Sequence, residues 1–347
     1  MPRRLPSAPN HRRRTPRPPQ WIVAETLGGA AHSTVIADGA YRRRFANLAR
    51  VSIARTASLV RSLPAVVEQC AASGEPQVRL VQLPNARTIR LGAVPVQGPR
   101  GGVYAVLVWA GAGSCGPPQR PSIGTLEWNA CTGIAKASAL TERMLGIAHT
   151  GGHREWTLAD LMCRFEWWED RAGFLALFDR SEPAGEWTGS ATIVSFGDRC
   201  QRHMYVAARR CSTAAGHVVR AIVHDVTGSE PLPRCDSHAI ALRRIPTQEG
   251  HAIGLTDVGS WLVHDWIAID DTPLRRWRHR SPEVHVSDLE SIARCRAALL
   301  AGAESIGCRV RIRFSENDRW DTVWAEWTIL SRSDRPQAVF DITWDLR

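Results

Sequence analysis

The chain has 347 residues, 44 Lys+Arg against 34 Asp+Glu, and a net charge of +10. With 44% apolar residues it can bury real cores, which excludes global disorder, and its length calls for two or three domains at ~100–200 residues each. The longest apolar run, Val103–Ala110, falls far short of the ~20 residues that span a bilayer, so no membrane-spanning helix is expected.

The excess charge sits at the N-terminus. Residues 1–20 carry six arginines (Arg3, Arg4, Arg12, Arg13, Arg14 and Arg17), six prolines and no acid. The prolines deny this segment a regular helix, so it reads as a disordered Arg/Pro-rich leader. Its functional alternative is a basic arm for nucleic acid or acidic lipid. Glu25 and Gly28–Gly29 break the apolar stretch that a secretory signal would need. The remaining residues are nearly balanced in charge. Nine cysteines spread from Cys70 to Cys308 without a C-x-x-C pair read as reduced thiols in a cytoplasmic protein.

The first domain is expected over 21–110. Strands at Trp21–Ala24 and Val35–Ala37 precede a helix over Arg55–Ala72, whose apolar residues fall at 59, 60, 63, 66, 67 and 70. Pro64 should kink or restart that helix. Strands follow at Val78–Leu83, Thr88–Val96 and Val103–Ala110, with Pro95 pointing to an edge position. Residues 111–124 form a linker containing Pro117, Pro118 and Pro121. Its Gly111, Gly113 and Gly116 match G-x-G-x-x-G, yet neither a helix nor a suitably spaced acid follows, as a dinucleotide site requires.

The second domain, 125–228, begins with strands at Leu126–Trp128 and Gly133–Ala135. Short helices at Leu140–Leu145 and Leu158–Arg164 lead to a Trp/Phe-rich helix over Trp167–Phe178. Strands at Thr188–Phe196, Arg202–Arg209 and His217–Val226 complete it. Beyond a linker over 229–248, the third domain, 249–347, has a strand at Trp261–Ile269 and a helix at Asp288–Leu300. Ser287 or Asp288 can cap that helix at its start and Gly302 at its end. Three strands end the chain: Arg309–Phe314, Val323–Leu330 and Ala338–Thr343. Two signatures recur in both domains, an Asp-Arg turn (Asp198–Arg199 and Asp318–Arg319) and an Asp-[Val/Ile]-Thr strand end (Asp225–Thr227 and Asp341–Thr343). A diverged duplication explains both.

Few residues point to chemistry. Cys200-x-x-His203 and Cys211-x5-His217 have zinc-like spacing, but a hairpin of 201–209 with 217–225 sets the two pairs about 25 Å apart at ~3.3 Å per residue. His149 and His153 flank Gly151–Gly152, which disfavours the helix that would bring them together. His224 and Asp225 are adjacent on a strand and so point to opposite faces. A Walker loop, a G-x-S-x-G elbow and an H-E-x-x-H helix are absent. No catalytic residue, metal ligand or required cofactor emerges. Trp167, Trp168 and Phe174 are the candidate ligand-pocket residues, the competing reading being an aromatic core.

Strand, short helices, a longer helix and three antiparallel strands ending in Asp-[Val/Ile]-Thr resemble the PAS domain, above all in Val218–Thr227. Three blocks resemble a family of actinobacterial, chiefly mycobacterial, sensor-only proteins with one GAF and two PAS domains. They are Trp21–Gly28, Val106–Gly111, and Pro117–Trp128 running on into Thr132–Ala135. The resemblance covers about residues 21–347; Asn129 stands where the family has an acid, and the leader is additional. It implies an α+β fold of three tandem sensor-type domains, one GAF-like and two PAS-like, each an antiparallel sheet flanked by helices. It further implies a cytoplasmic, non-enzymatic sensor or scaffold that binds a small molecule or signalling protein and relays a signal by inter-domain rearrangement. The alternative is a nucleic-acid-associated regulator using the leader arginines. A hydrolase with a cryptic site is the third reading.

Overall fold

The computed structural model describes residues 20–84, 86–147, 155–183, 185–194, 201–230, 249–269 and 273–344. The leader arginines, His149, His153, Asp198–Arg199, Cys200 and most of the 229–248 linker lie outside the described residues.

Three six-stranded antiparallel sheets succeed one another along the chain. The first contains β1 (Ile22–Glu25), β2 (Thr34–Asp38), β3 (Tyr41–Ala46), β4 (Gln77–Gln82), β5 (Thr88–Gln97) and β6 (Val103–Ala112), in the order β3-β2-β1-β6-β5-β4. Helix α1 (Ala57–Ser73) lies on it. Thr56 caps its start by accepting from the Leu59 N–H, and Gly74, in the left-handed region, ends it. The helix runs unbroken through Pro64 and does not restart there. The buried stripe Leu59, Leu63, Val66, Val67 and Cys70 clamps both halves to the sheet, and Pro64 itself faces solvent. Pro95 occupies a local edge, as expected, although β5 is an interior strand. β4 pairs with β5 only as far as Ala93, so beyond that point Pro95 meets β6 alone. The unexpected β3, Tyr-Arg-Arg-Arg-Phe-Ala, hides its alternation behind three arginines. Gly39 at φ +62 turns the chain so that Asp38 pairs with Tyr41.

The second domain runs β7 (Ile123–Asn129), β8 (Ala135–Ala137), α2 (Ala139–Met144), α3 (Leu158–Met162), β9 (Phe165–Trp168), α4 (Arg171–Ala176), β10 (Glu186–Val194), β11 (Gln201–Thr213) and β12 (Gly216–Asp225). The third runs β13 (His251–Asp257), β14 (Leu262–Ile269), a 3-10 segment (Pro273–Arg278), β15 (Glu283–Val284), α5 (Leu289–Leu300), β16 (Ser305–Arg313), β17 (Asp321–Ser331) and β18 (Gln337–Trp344). Their sheets, β8-β7-β12-β11-β10-β9 and β14-β13-β18-β17-β16-β15, share one permutation of strands, as a duplication requires.

Two elements differ from expectation. The aromatic helix over Trp167–Phe178 is instead strand β9, paired with β10, followed by the six-residue α4. Asp170 breaks it: its backbone is left-handed at φ 49 and its carboxylate accepts from the Gly173 N–H, starting a new helix there. The third domain opens with β13, ahead of the strand expected first. Gly254 and the inward Thr256 dilute the apolar alternation that would have marked it.

The expectation of sheets flanked by helices is corrected too. Among the described residues, eighteen strands accompany five α-helices, of which only α1 and α5 exceed six residues. The chain is mostly β because a sheet covers what a helix would otherwise cover. The outer face of the first sheet (Trp21, Val23, Leu107) packs on the outer face of the second (Tyr205, Ala207, Ile222) in one apolar cluster. Two buried carboxylates fasten this sandwich. Glu25 accepts from Arg209 of the second domain (3.0 Å) and from Thr34 (2.5 Å). Glu127 accepts from Arg220 (3.0 Å) and from the Tyr104 hydroxyl of the first domain.

Arg209→Met is expected to cost about 3 kcal/mol, since Glu25 then stays buried without its counter-charge. Glu25→Gln in the same chain should recover part of that loss. Urea unfolding of both variants measures it, and equal stabilities of Arg209→Met and the unmodified chain would contradict the account.

Candidate functional site

The second and third domains fill their interiors differently. In the second, Phe174 of α4 sits at the centre of an aromatic core, with ring centroids 5.6 Å from Trp128, 5.6 Å from Phe178 and 5.2 Å from Trp187. In the third, the space between the sheet and α5 retains a cavity of about 280 Å³. Val310 of β16, Ala325 and Trp327 of β17 and Phe340 of β18 form its floor, while Leu289 and Ile292 of α5 wall it. Its roof comes from the second domain: Thr132, Thr157, Leu158 and Ala159 reach over from the start of α3 and the β7–β8 turn. Ala159 packs into the third domain's apolar cluster, and Leu262 of β14 packs against the second domain's.

The lining is apolar and aromatic. Trp261, Trp266, Trp277 and Trp327 contribute indoles, and Thr132, Thr157, Thr256 and Ser281 are its polar side chains; among the described residues, none that lines it is charged. The Thr256 hydroxyl is buried with no hydrogen-bond partner among the described residues. Trp261 is held at φ 62, a left-handed backbone that a bulky residue adopts only against strain. The turn that holds it there is built on Asp257. The Asp257 carbonyl accepts from the Trp261 N–H (2.8 Å), and its carboxylate accepts from the Ser260 N–H (2.7 Å) and hydroxyl (2.6 Å). The strain sets the Trp261 ring 4.9 Å from Trp327, which in turn stacks on Phe340 at 4.8 Å and 14°. Gly254 makes room on the same sheet face: a Cβ there would meet the Asp265 carbonyl at 2.9 Å and the Trp266 ring at 3.0 Å.

Polar contacts cross the same domain boundary. Arg335 donates to the Asp257 carboxylate (2.6 Å) and to the Leu175 carbonyl of the second domain (2.9 Å), and lies 3.8 Å from Asp179. Burial opposes ionisation of Asp179, but hydrogen bonds from Ser181 and the cation of Arg335 outweigh it and hold the carboxyl below its usual range. Arg171 donates to Asp265 (3.0 Å), and His279 lies 3.3 Å from Asp160. Gln337 donates its amide to Asp257 (2.9 Å), which turns its oxygen to His264 Nε2 (2.7 Å) and places the histidine's proton there. Burial, then the nearby Arg171 cation, lowers the His264 pKa to about 4.

The residues singled out from sequence fall elsewhere. Trp168 stacks on Trp187 at 5.6 Å and approaches Phe174 at 4.9 Å, so these two meet in the second domain's packed core. Trp167, next along β9, points to the opposite face, 6.3 Å from the His203 ring. None of the three lines the cavity. His203 and Cys211 lie eight positions apart along β11, and the Cys211 thiol donates to the Leu27 carbonyl (3.1 Å). Among the described residues no group of three or more His, Cys, Asp or Glu is placed to hold a metal ion, and no helix is long and apolar enough to cross a membrane. The cavity residues were within reach of the sequence: tryptophans at 261, 266, 277 and 327 in a segment with a single helix leave aromatic walls with little to fill them.

Residues 20–119 match the family described as "Rv3651-like, N-terminal". Over most of its length the chain is similar in fold to a crystal structure of an uncharacterised protein from Mycobacterium tuberculosis. The TM-score is 0.71 at 18% identity, covering 94% of this chain and 96% of that one. A DhaR(N)–DhaL complex from E. coli (TM-score 0.21, 9% identity, 60% of this chain and 80% of that one) and an RNA-binding Light-Oxygen-Voltage receptor (TM-score 0.25, 9% identity, 64% and 95%) are too distant to bear on this chain. No curated protein matches.

Proposed function

We propose that this chain is a cytoplasmic, non-enzymatic small-molecule sensor, built from a GAF-like domain and two PAS-like domains, that takes its ligand in the third domain. The observation that carries this reading is the composite wall of the cavity, in which α3 of the second domain roofs the sheet of the third. A ligand between them touches both domains at once. It shifts their arrangement by as much as its affinity differs between the two arrangements. The Arg335, Arg171 and His279 contacts around the cavity are the ones such a shift would remake. Farther along, the Glu25 and Glu127 pairs bind the first and second domains together, so a movement of the second domain carries the first with it.

Native mass spectrometry of freshly purified protein, with an absorbance spectrum, tests this. A bound small molecule that is lost in Ala325→Leu, whose added bulk fills the cavity, supports the sensor. A chain that purifies empty, and whose hydrogen exchange over 158–162 responds to no small molecule, argues for a scaffold instead.

A further inference from the structure

We infer that the ligand of the third-domain cavity is an uncharged, flat, largely apolar molecule with one hydrogen-bonding group directed at Thr256. This rests on the sensor reading and narrows it to a chemical class.

Three observations carry the inference. The first is that, among the described residues, the lining carries no charge. An ionised ligand would give up its hydration against indole, phenyl and aliphatic side chains without a counter-charge from any of them. Asp257, next along β13 from Thr256, points to the other face and is already bound by Arg335, Gln337 and Ser260. The second is shape. Trp327 and Phe340 stack on each other and Trp261, strained into place, packs against Trp327, so one wall is a continuous aromatic surface that suits a planar guest. The third is the Thr256 hydroxyl. A buried hydroxyl without a partner costs stability, and this one lines the cavity, so a guest with one donor or acceptor at that point satisfies it. At about 280 Å³ the cavity lies near the lower end of small-molecule sites, which suits a compact guest.

Fluorescent dyes titrated into the full chain test this directly. N-phenyl-1-naphthylamine is neutral and flat, and 8-anilino-1-naphthalenesulfonate is the same ring system carrying a sulfonate. The neutral dye should bind at one site per chain and the sulfonate at least about tenfold more weakly. Ala325→Leu and, independently, Val310→Phe should each weaken the neutral dye by a similar factor. Prodan, neutral with one ketone, should lose about fivefold in Thr256→Val, whereas anthracene, a flat fluorescent hydrocarbon with no hydrogen-bonding group, should stay within about twofold. Equal affinity for the sulfonate, abolished by both filling variants, overturns the ligand class while leaving the sensor reading intact. Dye binding unchanged by both filling variants, in chains that still unfold cooperatively in urea, overturns the two together. Equal effects of Thr256→Val on prodan and anthracene overturn the role of the hydroxyl.

Discussion

Arg335→Leu is expected to destabilise the third domain by about 3–5 kcal/mol, the range for stripping a buried charge of its partner. Asp257 is fully buried and Arg335 nearly so. Without the guanidinium, Asp257 keeps its bonds from Ser260 and Gln337 but has lost the adjacent positive charge. The Leu175 carbonyl loses its donor and Asp179 its nearest cation, so the damage spreads to the contact between the domains. Trp261 depends on the same turn, and loosening Asp257 releases the strained indole from the cavity wall. Arg335→Lys keeps the charge but not the fork that reaches Asp257 and Leu175 together, so an intermediate loss follows. Urea unfolding measures the stabilities, and hydrogen exchange over α4 and β13 locates the damage. A loss under about 1 kcal/mol for the leucine variant would remove Arg335 from the account.

The second large effect is a loss of stability in mild acid. His264 and His224 are both buried, and desolvation lowers each pKa from its ordinary 6.5 to about 4. Arg171 deepens the shift at His264, while Asp265, Gln337 and Asp257 oppose it; at His224 Asp225 opposes it. The folded chain therefore holds both rings neutral where the unfolded chain would protonate them. Their contribution is complete above pH 6.5 and is lost as the pH falls from 6.5 towards 4. Each is worth about 3 kcal/mol over that window, because every tenfold difference in proton affinity between the folded and unfolded chain is worth roughly 1.4 kcal/mol. Asp288 adds a loss in the same direction, at lower pH. Its bonds with Arg311 lower its pKa to about 2, so its contribution disappears only at more acidic pH, below the histidine window. Urea midpoints at pH 7.5, 6 and 5 should fall steadily. His264→Gln retains an amide donor towards Gln337 and cannot titrate, so its midpoint should fall about half as steeply. A midpoint that is flat from pH 7.5 to 5 would show that these rings are not held neutral by the fold.

Much of the architecture could be read locally. The β11–β12 hairpin, the stripe of α1 and the span of α5 follow from periodicity, because each depends on residues a few positions apart, although Asp288 starts α5 with no side-chain cap bond and gives its carboxylate to Arg311 instead. The paired Asp-[Val/Ile]-Thr strand ends pointed to the repeat that the two identical strand orders display. Local signals misled where a neighbouring element decided the matter. Phe165–Trp168 pairs with β10 although its aromatics suit a helix, and β13 forms despite Gly254 because β14 and β18 flank it on both sides. The aromatic cluster chosen as a pocket wall lies in the second domain's core, whereas the open space lies in its duplicate.

Short-range pattern and composition suffice for three tandem units, for the position of most of their strands and for the near balance of charge outside the leader, and they point to the duplication; that the units are mostly β emerges only from the fold. Which faces are shared and where space remains depend on the assembled chain. Sheet covers sheet between the first two domains because their outer faces are both apolar and are joined by the buried Glu25–Arg209 pair and the Tyr104–Glu127 bond. The cavity survives in the third domain because its walls come from segments up to about two hundred residues apart, Thr132 to Phe340, and no local pattern reports whether such distant side chains fill the volume between them.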